Sequence, residues 1–199
     1  MDIGAKNYNF IEPRRKEIVN GKVYMMAGTS RAHNDIVGNL FSILQRFLRG
    51  KKCKVYGENF AVYFDEESPQ VLPDIKIVCD RDKIKRDKIY GAPDFIVEIL
   101  SVSTRKKDLT EKKDLYERFG VLEYWIINPA EESVQVYLLK EGKYELDYIY
   151  NNFDEEFIEE KMKYGDDEEK EMVQVKTIKT SLYGDDLIIN ISEIFEDML

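Results

Sequence analysis

An α/β (α+β) fold, with a central mixed β-sheet flanked by helices and an N-terminal β-hairpin, is what this 199-residue sequence predicts. Three observations predict it. Short runs with period-two alternation accompany FIVEIL at 95–100, which is apolar on both faces apart from Glu98 and so suits a strand inside a sheet. Two other segments carry apolar residues at three- and four-residue spacing, as helices packed on one side do. Hydrophobic residues make up 43% of the chain, with thirteen Tyr and ten Phe among them, enough for a core without disulfides or structural metal. No repeat and no Pro-, Gly- or Ser-rich linker divides the sequence, so one domain over 1–199 is expected.

In order, EIVNGKVYMMA at 17–27 sets Asn20-Gly21, a dipeptide suited to a type I′ turn, between apolar stretches, and predicts the hairpin. Ile36, Val37, Leu40, Ile43, Leu44, Phe47 and Leu48 predict a helix of about five turns, with Ser30 as N-cap and Gly50 as its stop. Short strands are expected at 55–56 and 60–64, and a longer one in VLPDIKIV at 71–78, with Pro73 near its beginning. After the 95–100 strand, Ser103 or Thr104 can cap a helix that packs through Leu109, Leu115, Tyr116 and Phe119 and stops at Gly120. Strands at 123–127 and 133–139 flank Asn128-Pro129. A further antiparallel strand is expected at 142–150, then a strand at 187–190 and a short helix from Ser192.

The formal charge of −9 argues against a nucleic-acid partner until its distribution is considered. Residues 151–172 hold ten acids against Lys161, Lys163 and Lys170, so this acidic insertion carries most of the excess. It is expected as a solvated hairpin extension or a loop, with a DNA-mimicking cover over the cleft as the alternative. Residues 81–113 hold ten bases and six acids, which leaves room for a local basic surface. No apolar run approaches the roughly 20 residues needed to span a bilayer, so a cytoplasmic protein without a membrane partner is expected. Cys53 and Cys79 lack the spacing of a zinc knuckle or redox pair and are expected as buried free thiols. No phosphate-cradling glycine loop is present, which excludes a nucleotide cofactor of that type. Ser101, Ser103 and Thr104 have no histidine in their segment to activate them, and helix capping accounts for them.

The chemistry centres on two carboxylates. An isolated glutamate within FIVEIL costs several kcal/mol to bury and so needs a partner or a cation. Asp74, between Pro73 and Ile75, stands in a similar setting. If the two strands are neighbours, both carboxylates converge on one point, and hard oxygen ligands of this kind suit Mg²⁺ or Mn²⁺. Such an ion stabilises charge on a phosphoryl oxygen and lowers the pKa of a bound water. Lys112, four residues after Asp108 on one helix face, is either half of a solvated salt bridge or the cation that assists this chemistry.

GAPDFIVEILSVST at 91–104, then Asp108 with Lys112 and Tyr116, then GVLEYWIINP at 120–129, resembles the Uma2 (Uma-two) family of restriction endonucleases, within the PD-(D/E)XK nuclease superfamily. A weaker likeness extends from EIVNG at 17–21 through Ser30 and His33 to Tyr137. The resemblance implies a restriction-endonuclease-like core and a metal-dependent endonuclease that hydrolyses DNA as a homodimer with Mg²⁺ or Mn²⁺. It implies Asp74 and Glu98 as metal ligands, and His33, Glu17 and Asp108 as cleft-rim or supporting residues. The superfamily's lysine two places after Glu98 is missing, and Leu100 stands there. In this family a lysine on the next helix takes over, and Lys112 falls at that place, completing a candidate catalytic set of Asp74, Glu98 and Lys112. The departure at Leu100 keeps a second reading open: a catalytically inactive nuclease-fold module that binds nucleic acid or protein.

Overall fold

Period-two alternation along the strands decides which side of the sheet each residue meets. The computed structural model describes residues 16–19, 22–25, 28–66, 70–101 and 104–198. β1 (Lys16–Val19) and β2 (Lys22–Met25) form the antiparallel hairpin, followed by α1 (Arg31–Leu48), β3 (Lys54–Gly57), β4 (Ala61–Tyr63), β5 (Ile75–Val78), β6 (Lys88–Tyr90) and β7 (Phe95–Ile99). A helix then runs on through α2 (Arg105–Lys107), a π turn over Asp108–Lys112 and α3 (Lys113–Arg118). β8 (Glu123–Asn128), β9 (Ser133–Lys140), β10 (Lys143–Asn151), α4 (Glu155–Tyr164), α5 (Asp167–Gln174), β11 (Thr177–Lys179), β12 (Ile188–Asn190) and α6 (Ile191–Ile194) follow.

Six strands make the central sheet in the order β10-β9-β8-β7-β5-β3. Only β7 and β8 pair in parallel, because the helix between them returns the chain to the same end of the sheet, so the sheet is mixed as expected. One face carries Ile75, Ile77, Phe95, Val97, Ile99, Trp125 and Ile127, which pack on α1 and on α6. The buried residues of α1 include Ile36, Leu40, Leu44 and Leu48, one stripe at four-residue spacing. Ser30 Oγ accepts the His33 N–H at 3.2 Å and starts that helix, and Gly50, at φ 79°, supplies the left-handed residue beyond its end. The opposite face carries Val78, Ile96, Tyr124 and Ile126, covered by Val19 of the hairpin, Val62 and Ile89 of β4 and β6, and Leu115 and Tyr116 of α3.

Several expectations are corrected. The Asn20-Gly21 turn, Met26, Ala27 and the Ser103 cap lie outside the described residues. The strand expected at 71–78 begins only at Ile75, and Val71 makes an isolated bridge to Val62, since Pro73 has no N–H for a ladder. Thr104 provides no side-chain cap; instead Ser101 Oγ accepts the Thr104 N–H at 3.2 Å. β6 and β11, three residues each, were too short to stand out from their surroundings. The acidic insertion forms α4 and α5, helices begun by Asp154, which accepts from Phe157 N, and by a capping box between Asp166 and Glu169. Cys53 and Cys79 are not free thiols: they form a disulfide. β3 pairs with β5 so that Lys54 faces Val78, and one position further the two cysteines face each other. Among the described residues no helix is long and apolar enough to cross a membrane.

Candidate active site

Register brings the acids together. β5 pairs with β7 with Ile75 opposite Val97, and with β3 with Ile75 opposite Gly57. Continued by one residue, both ladders place Asp74 between Glu98 on one side and Glu58 on the other. Directly opposed residues share a sheet face, so the three carboxylates form a row across three neighbouring strands. Asp74 Oδ2 accepts the Ile99 N–H at 2.7 Å, which fixes the aspartate against β7. Asp74 and Glu98 are buried, at 6% and 3% exposure, and line one cleft with His33, Glu17, Lys107 and Lys112.

The helix after β7 supplies the cations. Lys112 Nζ lies 2.8 Å from Glu98 Oε1, 2.9 Å from Glu17 Oε1 and 3.5 Å from Asp108 Oδ1. Tyr116 OH donates to the same Glu98 oxygen at 2.6 Å. Glu17 also accepts the Leu72 N–H at 3.0 Å and pairs with Lys107. Lys107 and Lys112 are five residues apart. In a regular α-helix they would sit roughly 140° apart around the axis, but the i→i+5 π turn stacks them nearly above one another, so that both reach Glu17. Glu17 therefore pins the hairpin to this helix, and Asp108, 1% exposed, is a further acid beside Lys112.

Electrostatics follow from this crowding. Burial, with Asp108, Asp74 and Glu17 nearby, holds the Glu98 carboxyl well above the usual range in spite of Lys112. Burial works against the charge on Lys112, yet Glu98, Glu17 and Asp108 raise it well above an ordinary lysine. Burial also raises Asp108, with Lys112 offsetting only part. Glu17 moves the other way: burial pushes it up, but Lys112 and Lys107 outweigh that and hold it low. His33 Nε2 lies 3.3 Å from Asp74 Oδ1 without hydrogen-bond alignment, and neither ring nitrogen has a hydrogen-bond partner among the described residues. Burial disfavours the imidazolium, but Asp74, Glu58 and Asp108 together raise its pKa.

The structure thus brings Asp74, Glu98, Lys112, His33, Glu17 and Asp108 into one cluster. Sequence reasoning missed three members. Lys76, fully buried, shares the parity of Asp74 on β5 and donates from Nζ to the Pro73 carbonyl at 3.0 Å. Desolvation pushes its pKa down to about 7 against the pull of Glu98 and Asp74. A lysine two residues after Asp74 within an apolar strand was the available signal. Lys107 was hidden because five-residue spacing means nothing in an α-helix. Glu58, in the turn after β3, is half-buried and joins His33 and Asp74 in a group whose ligand atoms lie within 4.8 Å of one another. Carboxylate oxygens in excess and an imidazole beside them are a donor set that fits a divalent cation.

A mixed sheet flanked by helices, with acids and a lysine converging at one end, has the architecture of a nuclease fold. The same fold occurs in a crystal structure of a "putative nuclease belonging to DUF820" from Anabaena variabilis ATCC 29413, with a TM-score of 0.65, 18% identity, and coverage of 90% of this chain and 89% of that one. Residues 8–163 match the Uma2 family, described as "Putative restriction endonuclease", and the chain belongs to that family. Two uncharacterized proteins of Synechocystis sp. (strain ATCC 27184 / PCC 6803 / Kazusa) are also similar. The first, slr1290, is 26% identical over 124 residues, 62% of this chain and 65% of its own length. The second, sll1609, is 21% identical over 115 residues, 57% of this chain and again 65% of its own length.

Proposed function

We propose that the protein is an endonuclease that hydrolyses phosphodiester bonds in DNA with the help of Mg²⁺ or Mn²⁺. The observation that carries this reading is the convergence of Asp74 from just before β5, Glu98 from β7 and Lys112 from the π turn at the floor of one cleft. Asp74 and Glu98 would hold the cation, which when bound supplies charge stabilisation at phosphorus and a more acidic water. Lys112, held in place by three carboxylates, would donate to a phosphoryl oxygen as negative charge accumulates there. Tyr116 keeps Glu98 oriented through its 2.6 Å hydrogen bond. Water adds to phosphorus, the P–O bond to the sugar breaks, and the proton lost by water passes to solvent while the leaving oxygen gains one.

Leu100, at the place of the superfamily's lysine, is buried in the apolar layer with Leu115 and Tyr116, and this observation supports the rival reading of an inactive nucleic-acid- or protein-binding module. Cleavage of supercoiled plasmid with Mg²⁺ or Mn²⁺, by the wild type and by Glu98→Ala and Lys112→Ala, separates the two. Cation-dependent cutting lost in both variants is expected. No cutting together with no cation binding by calorimetry would favour the binding module.

A further inference from the structure

The net charge of −9 hides a strongly basic region at the end of β5 remote from Asp74. Residues 46–54, from the end of α1 into β3, hold five bases and no acid, and residues 80–88, after β5, hold five bases and three acids. Ten bases against three acids give a net of +7. Tertiary structure joins the two segments into one patch. β3 pairs with β5 with Lys54 opposite Val78, and the Cys53–Cys79 disulfide lies one position beyond. The Arg81 guanidinium donates to the Lys52 carbonyl at 3.2 Å and to the Lys51 carbonyl at 3.3 Å. None of the ten bases forms an ion pair with a carboxylate among the described residues, whereas Lys107, Lys112, Lys143, Lys161 and Lys179 all do. Gathered like charges repel one another, and a polyanion that neutralises them removes that cost. A lysine on an edge strand also blocks edge-to-edge pairing, but Lys54 fulfils that role on β3, and most of the other bases lie at a helix end or in turns.

We propose that this patch is a second contact surface for double-stranded DNA, holding the phosphate backbone of the duplex outside the cleft. The inference rests on the nuclease reading above and extends it: the cleft cuts, and the patch grips flanking duplex. β3 links the two. Lys54 stands at its patch end, and Glu58, one residue beyond its other end, stands beside Asp74. About 14 Å of strand therefore separates patch from cleft, roughly four base pairs of duplex. β3 is the last strand of the central sheet, and among the described residues no strand pairs with its outer edge. Duplex DNA is favoured over a membrane surface because none of the exposed large apolar side chains lies within 46–54 or 80–88, so no apolar anchor accompanies the charge.

The test is binding of the full chain to a fluorescently labelled duplex of about 24 base pairs, followed by anisotropy across a salt series, in EDTA so that cation-dependent cutting is suppressed. The patch variant Arg49→Gln/Lys52→Gln/Arg86→Gln is compared with Lys140→Gln/Lys163→Gln/Lys176→Gln, which removes the same charge from exposed positions elsewhere; none of the six residues lines the cleft. The patch variant is expected to bind about tenfold or more weakly at ~0.1 M salt and to flatten the slope of log K against log salt by about three, one unit per lost phosphate contact. The control variant should keep the wild-type slope. Circular dichroism confirms that each variant is folded. Equal loss in both variants, or no duplex binding by the wild type, overturns the inference. So does binding to phosphatidylserine vesicles that the patch variant loses while its duplex binding persists, which makes the partner a membrane. Plasmid cutting with Mn²⁺ separates this inference from the nuclease reading. Patch-dependent duplex binding without cutting keeps the surface and removes the nuclease, and cutting with patch-independent binding does the reverse.

Discussion

Lys112 Nζ lies 2.8 Å from Glu98 Oε1, and the same ammonium is 2.9 Å from Glu17 Oε1, a residue of the N-terminal hairpin. One cation therefore ties the central strand, the following helix and the hairpin together at the cleft floor. Its position is set by three carboxylates, and under the proposed function this preorganisation would let its charge act on a transition state without reorganisation cost.

Replacing Lys112 by Met should lower single-turnover plasmid cleavage by about 10²-fold or more, the usual cost of one preorganised donor. Lys112→Arg is expected to rescue poorly, since a planar guanidinium cannot occupy a pocket built around a point charge. Cleavage rates at saturating Mn²⁺ check both.

Glu17→Gln should destabilise the fold by about 3 kcal/mol at neutral pH, because it leaves Lys107 without its buried partner. The pH dependence has a definite sign. The Glu17 carboxyl is held low by Lys112 and Lys107 against the upward push of burial, so its stabilisation is present above the ordinary carboxylate value and is lost as pH falls through the folded value. Urea denaturation across a pH series should show wild type and variant converging in acid.

Glu123 has the opposite sign. Burial raises its pKa in spite of donors from Ser181 and Trp125, so its contribution is fully present below the ordinary carboxylate value and is lost as pH rises through the folded one. The Trp125 Nε1–H donates to Glu123 Oε1 at 2.7 Å, and Trp125 is the only tryptophan, so its fluorescence should follow this titration. Ser181→Ala, which removes a 2.6 Å hydroxyl donor, should cost about 1.5–3 kcal/mol and move the fluorescence transition to higher pH.

The Cys53–Cys79 disulfide closes a loop across β3 and β5. The double variant Cys53→Ser/Cys79→Ser should lose about 3.5 kcal/mol in denaturant unfolding, the chain-entropy expectation for a loop of this length. In the wild type, alkylation of either thiol is expected only after reduction.

Much of the architecture was legible because it depends on local pattern. The stripe of Ile36, Leu40, Leu44 and Leu48 specifies α1, and FIVEIL specifies an interior strand whatever its neighbours are. Burial of Glu98 and Asp74 in apolar strands flagged both as residues needing a charged partner. Pairing was not legible in the same way. Cys53 and Cys79 read as free thiols because only the β3–β5 register makes them opposite each other. The acidic segment read as solvated extension because charge density outweighs helix capping in a composition argument, whereas Asp154, Asp166 and Glu169 satisfy the first N–H groups of α4 and α5 locally.

What the sequence by itself determined is the order of elements, the family resemblance and the identity of two carboxylates and one lysine worth watching, since periodicity and an acid in an apolar run are properties of neighbouring residues. Only the tertiary structure decided that Glu58, Asp74 and Glu98 form one row, that a π turn swings Lys107 beside Lys112, and that His33 faces Asp74. Those relationships arise from strand register and helix pitch, which couple residues far apart in the chain through backbone hydrogen bonds that no local pattern encodes.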